Sequence, residues 1–92
     1  MKFTCTKTVY AMQYDGTNVN TLITFAESHG VKIHRHYMLQ DGSQLFLYHS
    51  HGDAHLHKND WLVVAEETKW TFNRVGVCRP EEFKDKYEKC TD

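Results

Sequence analysis

Hydrophobic and polar positions alternate in short runs along this chain, and turn-forming pairs separate the runs. Residues 9–14 (Val-Tyr-Ala-Met-Gln-Tyr) are β-branched and aromatic and stop at Asp15-Gly16, which predicts a first strand. The period then changes. Val19, Leu22, Ile23 and Ala26 fall at i, i+3, i+4 and i+7, one face of a helix. Asn18 suits its N-cap, Gly30 its left-handed end, and His29 the negative end of its dipole. A helix is therefore expected over residues 18–29. Strands are expected over residues 31–38 and 44–49, joined by the tight turn Asp41-Gly42. Gly52-Asp53 predicts another turn before a short strand over residues 54–57. Asn59-Asp60 turns the chain again into Trp61-Leu62-Val63-Val64-Ala65. After the polar tip Glu66-Glu67-Thr68-Lys69, a strand starting at Trp70 and running toward Val77 is expected. Pro80 suits the first turn of a helix, Glu81 and Glu82 complement its dipole, and Phe83 and Tyr87 share a face, giving a terminal helix over residues 80–89. The pattern is that of a small α+β domain. An antiparallel sheet or partly open barrel of five or six strands carries one helix near residues 18–29 and a second near 80–89.

Length leaves room for one domain over residues 1–92, with one modest core. The longest apolar run, residues 61–65, is far short of the roughly 20 residues of a spanning helix, so no membrane role is expected. The opening Met1-Lys2-Phe3-Thr4-Cys5 has neither the apolar stretch nor the cleavage site of a secretory signal. Cys5, Cys78 and Cys90 have no Cys-x-x-Cys spacing and are expected as reduced thiols of a cytoplasmic protein. Eleven basic and twelve acidic residues leave a net charge of −1, with no basic stripe, so direct nucleic-acid binding is not expected.

Histidine is the unusual feature. Six of the seven histidines form three His-x-His pairs, His34/His36, His49/His51 and His55/His57. Each pair puts two imidazoles on one face of a strand. Whether the last two pairs share a face depends on the hairpin loop between them. A two-residue loop at Gly52-Asp53 separates His49 and His51 from His55 and His57 and gathers Leu45, Leu47, Ala54 and Leu56 on one apolar face. A three-residue loop, Ser50 to Gly52, puts all four imidazoles together and gathers Phe46, Tyr48, Ala54 and Leu56 instead. Both registers leave an apolar face, so the pattern does not decide. Four converged imidazoles would hold zinc or another transition metal. The pairs resemble the strand histidines of cupin metal sites, but the glutamate and glycine spacing around them is missing.

No phosphate-binding loop, nucleophile elbow, His-Glu-x-x-His or dinucleotide fingerprint occurs. Asp53 and Asp60 read as paired carboxylates or, more simply, as turn residues bonding their own backbone. Trp61 and Trp70 read as ring-stacking residues or, more simply, as core.

Three stretches together resemble a family of small tailed-bacteriophage accessory proteins of unassigned role. They are Ala11-Met12-Gln13-Tyr14-Asp15-Gly16-Thr17-Asn18, Asn59-Asp60-Trp61-Leu62-Val63, and Cys78-Arg79-Pro80-Glu81-Glu82-Phe83 with Tyr87-Glu88. The likeness runs from about Lys7 to Glu88. Lys58-Asn59 replaces a Pro-Gly of the pattern, residues around Arg74 to Val77 look inserted, and the histidine-rich hairpin has no counterpart. The resemblance implies a phage protein made in the host bacterial cytoplasm, with no enzyme activity. As a class, such proteins bind and inhibit host machinery. The expected function is therefore a counter-defence inhibitor of anti-CRISPR type, or a sponge for a small signalling nucleotide, acting as monomer or homo-oligomer. A metal-dependent cupin-like enzyme and a virion structural protein are the alternatives. The expected contact surface is His34, Arg35, His36, Tyr48, His49, His51, His55 and His57. Neutral imidazole both donates and accepts hydrogen bonds and stacks on flat rings.

Overall fold

The computed structural model describes residues 2–4, 8–65 and 75–87. Among them the chain forms seven strands and two helices: β1 (Lys2–Thr4), β2 (Thr8–Gln13), α1 (Val19–Ser28), β3 (Ile33–Met38), β4 (Gln44–His49), β5 (Gly52–His57), β6 (Trp61–Ala65), β7 (Val75–Cys78) and α2 (Pro80–Tyr87). The α+β antiparallel reading holds, with the strands split between two open sheets. One has the order β1-β2-β6-β7 and the other β3-β4-β5. Strand β1 has no place in the sequence reading. The expected strand start at Trp70, the polar tip over residues 66–69, Cys5, Cys90 and helix residues 88–89 lie outside the described residues. Cys78 is buried.

Helix α1 starts one residue after Asn18, whose carbonyl accepts the first helical bond from Leu22. Its side chain does not cap the helix. Asn18 Oδ1 accepts from the Asp15 N–H at 3.0 Å and Nδ2 donates to the Gln13 carbonyl at 2.8 Å, so the amide braces the preceding loop. The other end closes as expected. Gly30 has φ +83°, the Val31 N–H reaches back to the Ala26 carbonyl, and the Gly30 N–H to that of Glu27. These two bonds are the Schellman pattern, and they hold residue 31 at the helix end, so β3 begins only at Ile33. His29 at the C-cap stacks on Tyr10 at 4.1 Å.

The four-stranded sheet is the central layer. Its face carrying Leu62 and Val64 packs against Leu22, Phe25 and Ala26 of α1 and against Leu45, Leu47, Ala54 and Leu56 of the second sheet. Its opposite face, with Val9, Ala11, Val63 and Ala65, receives Phe83 of α2, and Trp61 stacks flat on Phe83 at 4.0 Å. Burial on both faces is why residues 61–65 read as an unbroken apolar run. It also makes Trp61 a core residue, already stacked within the chain.

The two sheets are tied at one end by a pair of matching loops. Asp15-Gly16-Thr17 and Asp41-Gly42-Ser43 share a pattern, and each aspartate Oδ1 accepts both the N–H and the hydroxyl two residues on, at 2.7–2.9 Å. Those bonds hold both carboxyls below the usual aspartate range. The glycines face each other with φ +93° and +76°. A Cβ on Gly42 would sit 2.5 Å from the Gly16 carbonyl oxygen. Between them Tyr14 is fully buried and its hydroxyl donates to the Gly42 carbonyl at 2.7 Å. Burial, then the charges of Asp15 and Asp41, push that hydroxyl's pKa up and keep it a donor. The Tyr14 backbone exchanges bonds with Asn59 and Asp60 in the connection from β5 to β6.

Gly42→Ala is therefore expected to lower stability by about 1–3 kcal/mol, combining left-handed strain with a clash against backbone. Gly76→Ala, in β7 where a Cβ meets nothing within 4 Å, should be neutral or slightly stabilising. Denaturant midpoints of the two variants check this contrast.

Candidate functional site

The hairpin of β4 and β5 decides where the histidines go. His49 pairs with Gly52, Leu47 with Ala54, and Leu45 with Leu56. The turn is thus Ser50-His51, one residue pair nearer the N-terminus than expected, and Gly52 and Asp53 belong to β5. Local bonds fix it there. The Ser50 N–H donates to the Lys32 carbonyl, the Lys32 N–H to Ser50 Oγ, and the His51 N–H to His49 Nδ1 at 3.1 Å. The side-chain parity is that of the expected two-residue loop: Leu45, Leu47, Ala54 and Leu56 go into the core and His49 goes with them. His55 and His57 point to the other side. The four imidazoles do not meet, and among the described residues no three His, Cys, Asp or Glu side chains are grouped to hold a metal ion.

Among the described residues, no element packs on the outward side of the three-stranded sheet. That side consists of cross-strand rows. Arg35, Tyr48 and Asp53 form one, Tyr37, Phe46 and His55 the next, and Gln44 with His57 the third. The rows touch as a continuous layer. The Arg35 guanidinium lies 4.5 Å from the Tyr48 ring centre. Phe46 and His55 stack at 4.2 Å with planes 11° apart, and His55 meets His57 at 4.6 Å. Tyr37 approaches Phe46 at 6.2 Å and is 60% exposed. His55 Nε2 is 2.8 Å from Gln44 Oε1.

Of the expected contact residues, Arg35, Tyr48, His55 and His57 are brought together on this face. His36 pairs with Leu47 and so projects to the opposite side at the sheet edge. His34 sits at a bulge where the β3 register shifts between Ile33 and Arg35, and His51 lies in the turn. His49 is buried with the core leucines, and among the described residues its Nε2 has no hydrogen-bond partner. Tyr37, Phe46, Gln44 and Asp53 complete the face. Their signal is in the alternation of Gln44–His49: once Leu45 and Leu47 face the core, Gln44, Phe46 and Tyr48 must face out.

Asp53 and Asp60 have separate roles. Asp53 is exposed on β5, whereas Asp60 is 1% exposed under the face. Asp60 Oδ2 accepts the His57 N–H at 2.8 Å and lies 3.7 Å from His57 Nδ1, while Oδ1 is 3.7 Å from Arg79. The carboxylate therefore anchors the end of β5, and with it His57.

No helix among the described residues is long and apolar enough to cross a membrane. Compared with protein-family models, curated protein sequences and solved structures, the chain matches none.

Burial, followed by the neighbouring His51 and His34 and opposed by Asp53, lowers the pKa of His49 below the ordinary histidine value. The unfolded chain therefore takes up this proton first. The stability contributed by neutral His49 is complete above about pH 6.5 and is lost as pH falls toward the folded value. His49→Leu should flatten that acid-side decline, measured as unfolding free energy against pH; an unchanged slope would contradict the assignment.

Proposed function

We propose that this chain is a non-catalytic binding protein, and that the outward face of β3, β4 and β5 is its contact surface. The observation that carries the reading is the stacked outward layer in which Arg35, Tyr37 and His55 are exposed and Phe46, Tyr48 and His57 half-buried. Apolar rings are normally covered, and an uncovered set of them flanked by polar groups is characteristic of an interaction site. The residue types are those that dominate protein interfaces. Aromatic rings and arginine supply large contact area with little side-chain entropy to lose, and the imidazoles and Gln44 add directed hydrogen bonds. The face is the open side of a sheet, whereas sites for small molecules are concave. An open sheet face favours a protein partner over a lone nucleotide.

The resemblance to phage accessory proteins supplies the biological setting of the proposal. The chain would act in the host bacterial cytoplasm and occupy a host factor or defence component. A signalling nucleotide stacked on Phe46 and His55 is the second reading, motivated by the near-parallel geometry of that pair.

Phe46→Ala with His55→Ala removes the centre of the layer without touching the buried side of the sheet. The tagged double variant should keep its circular dichroism spectrum and lose the partner that the wild-type protein captures from infected host cells by at least tenfold. Native mass measurement before and after exposure to host small-molecule extract separates protein capture from nucleotide capture. Undiminished capture by the folded variant would remove this face from consideration, and turnover of a substrate by the pure protein would overturn the non-catalytic reading.

A further inference from the structure

Strand β3 forms one edge of its sheet, and Arg35, His36, Tyr37 and Met38 are all exposed. Its backbone phase follows from Leu39, whose N–H donates to the Gln44 carbonyl at 3.1 Å. Tyr37 opposite Phe46 and Arg35 opposite Tyr48 lie in the same phase, so their N–H and C=O groups also turn inward to β4. Those of His36 and Met38 therefore turn outward, where no described strand meets them. Open edges are usually guarded by charged side chains, proline or a bulge. Here the charge of Arg35 and the bulge at His34 lie at one end, and residues 36–39 contain none of these.

We propose that a second copy of this chain occupies that edge, antiparallel to β3, across a two-fold axis at Tyr37. The occupant and register follow from self-complementarity. A two-fold interface places a strand against itself. An axis at Arg35 would set two guanidiniums directly opposite, and an axis at His36 would need the irregular His34 to pair with Met38. An axis at Tyr37 uses only the regular segment. The outward groups of His36 then meet those of the other copy's Met38, and reciprocally, giving four backbone hydrogen bonds. Arg35 lies opposite Leu39, and no like charges face each other. The two Tyr37 rings come together at a pair without backbone bonds, where side chains approach most closely. Tyr37 and Met38, the exposed large hydrophobic residues of the described chain, are both covered. The row His55, Phe46, Tyr37 then continues into the same row of the second copy, and two three-stranded sheets become one of six strands with a single aromatic band.

Such an edge contact buries less than the roughly 800 Å² per partner of a standard interface, so the dimer is weak and concentration-dependent. Sedimentation velocity from low micromolar to near-millimolar protein should show reversible monomer–dimer exchange. Tyr37→Lys places two ammonium groups opposite each other and should weaken dimerisation roughly tenfold or more. His36→Pro removes an outward N–H, a position where an edge strand tolerates proline, and should do the same with an unchanged circular dichroism spectrum. If that variant misfolds, cross-linking decides. Y37C should form an oxidised dimer readily, because directly opposed residues of this type are about 4.5 Å apart at Cα, within disulfide reach. R35C should not, since its opposite number is Leu39. Phe46→Ala with His55→Ala leaves the edge intact and should still dimerise, so loss of partner capture and loss of dimerisation are read separately. A wild-type protein that stays monomeric throughout overturns the proposal and leaves the edge to a strand of another protein. So does a dimer indifferent to Tyr37→Lys, or equal cross-linking of Y37C and R35C.

Discussion

The contact between Gly16 and Gly42, closed by the Tyr14 hydroxyl, is the constraint on which the arrangement of the two sheets depends. Two Asp-Gly-Ser/Thr loops can approach this closely only because neither glycine carries a Cβ and both adopt left-handed backbone. Tyr14 adds a buried donor to the same carbonyl, and its backbone is bonded to Asn59 and Asp60 where the chain passes from β5 into β6. Three loops distant in sequence are thereby held at one end of the molecule. The second sheet can lie on the central one in only one orientation, with Leu45, Leu47 and Leu56 inward.

That orientation leaves the two sheets in different chemical situations. The central sheet is covered on both faces, by α2 on one and by α1 with the second sheet on the other. Among the described residues, the second sheet is packed on one face only. Its outward positions must tolerate water, yet they hold Phe46, Tyr37 and Tyr48. Histidine reconciles these demands. An imidazole ring is flat enough to stack on Phe46 and polar enough to stay solvated, so His55 partly shields an apolar ring.

The elements were largely legible in the sequence because period and punctuation agree. The i, i+3, i+4, i+7 face of α1, the Gly30 end, Asp41-Gly42 and the apolar run of β6 each reflect a local rule and a tertiary demand at once. Boundaries slipped where a side chain served a neighbour, as when Asn18 braced the loop before it rather than capping the helix. The candidate face was half legible. Arg35, Tyr48, His55 and His57 were identified, but His49 was grouped with them because composition does not reveal parity. Parity was set by bonds from residues outside the pattern, those between Ser50 and Lys32 and between the His51 N–H and His49 Nδ1. Asp60 was legible as a turn residue bonding nearby backbone, and its carboxylate does accept the His57 N–H. Its burial was not legible, because that comes from the Tyr14 backbone, which draws this turn under the sheet beside Arg79.

The histidines therefore divide by backbone phase into two physical classes. One, His49, is held in the core as a neutral ring, and its environment resists protonation. The others considered for contact, at positions 34, 36, 51, 55 and 57, keep access to solvent. The net charge is only −1 at neutral pH, so a contact surface of the kind proposed would rest on short-range complementarity of rings and hydrogen bonds more than on long-range attraction. The dense pairing of histidines on three adjacent strands has a simple physical consequence. Alternation sends each strand's histidines to a side fixed by the hairpin phase, and the same phase decides which of them face solvent and which face the core.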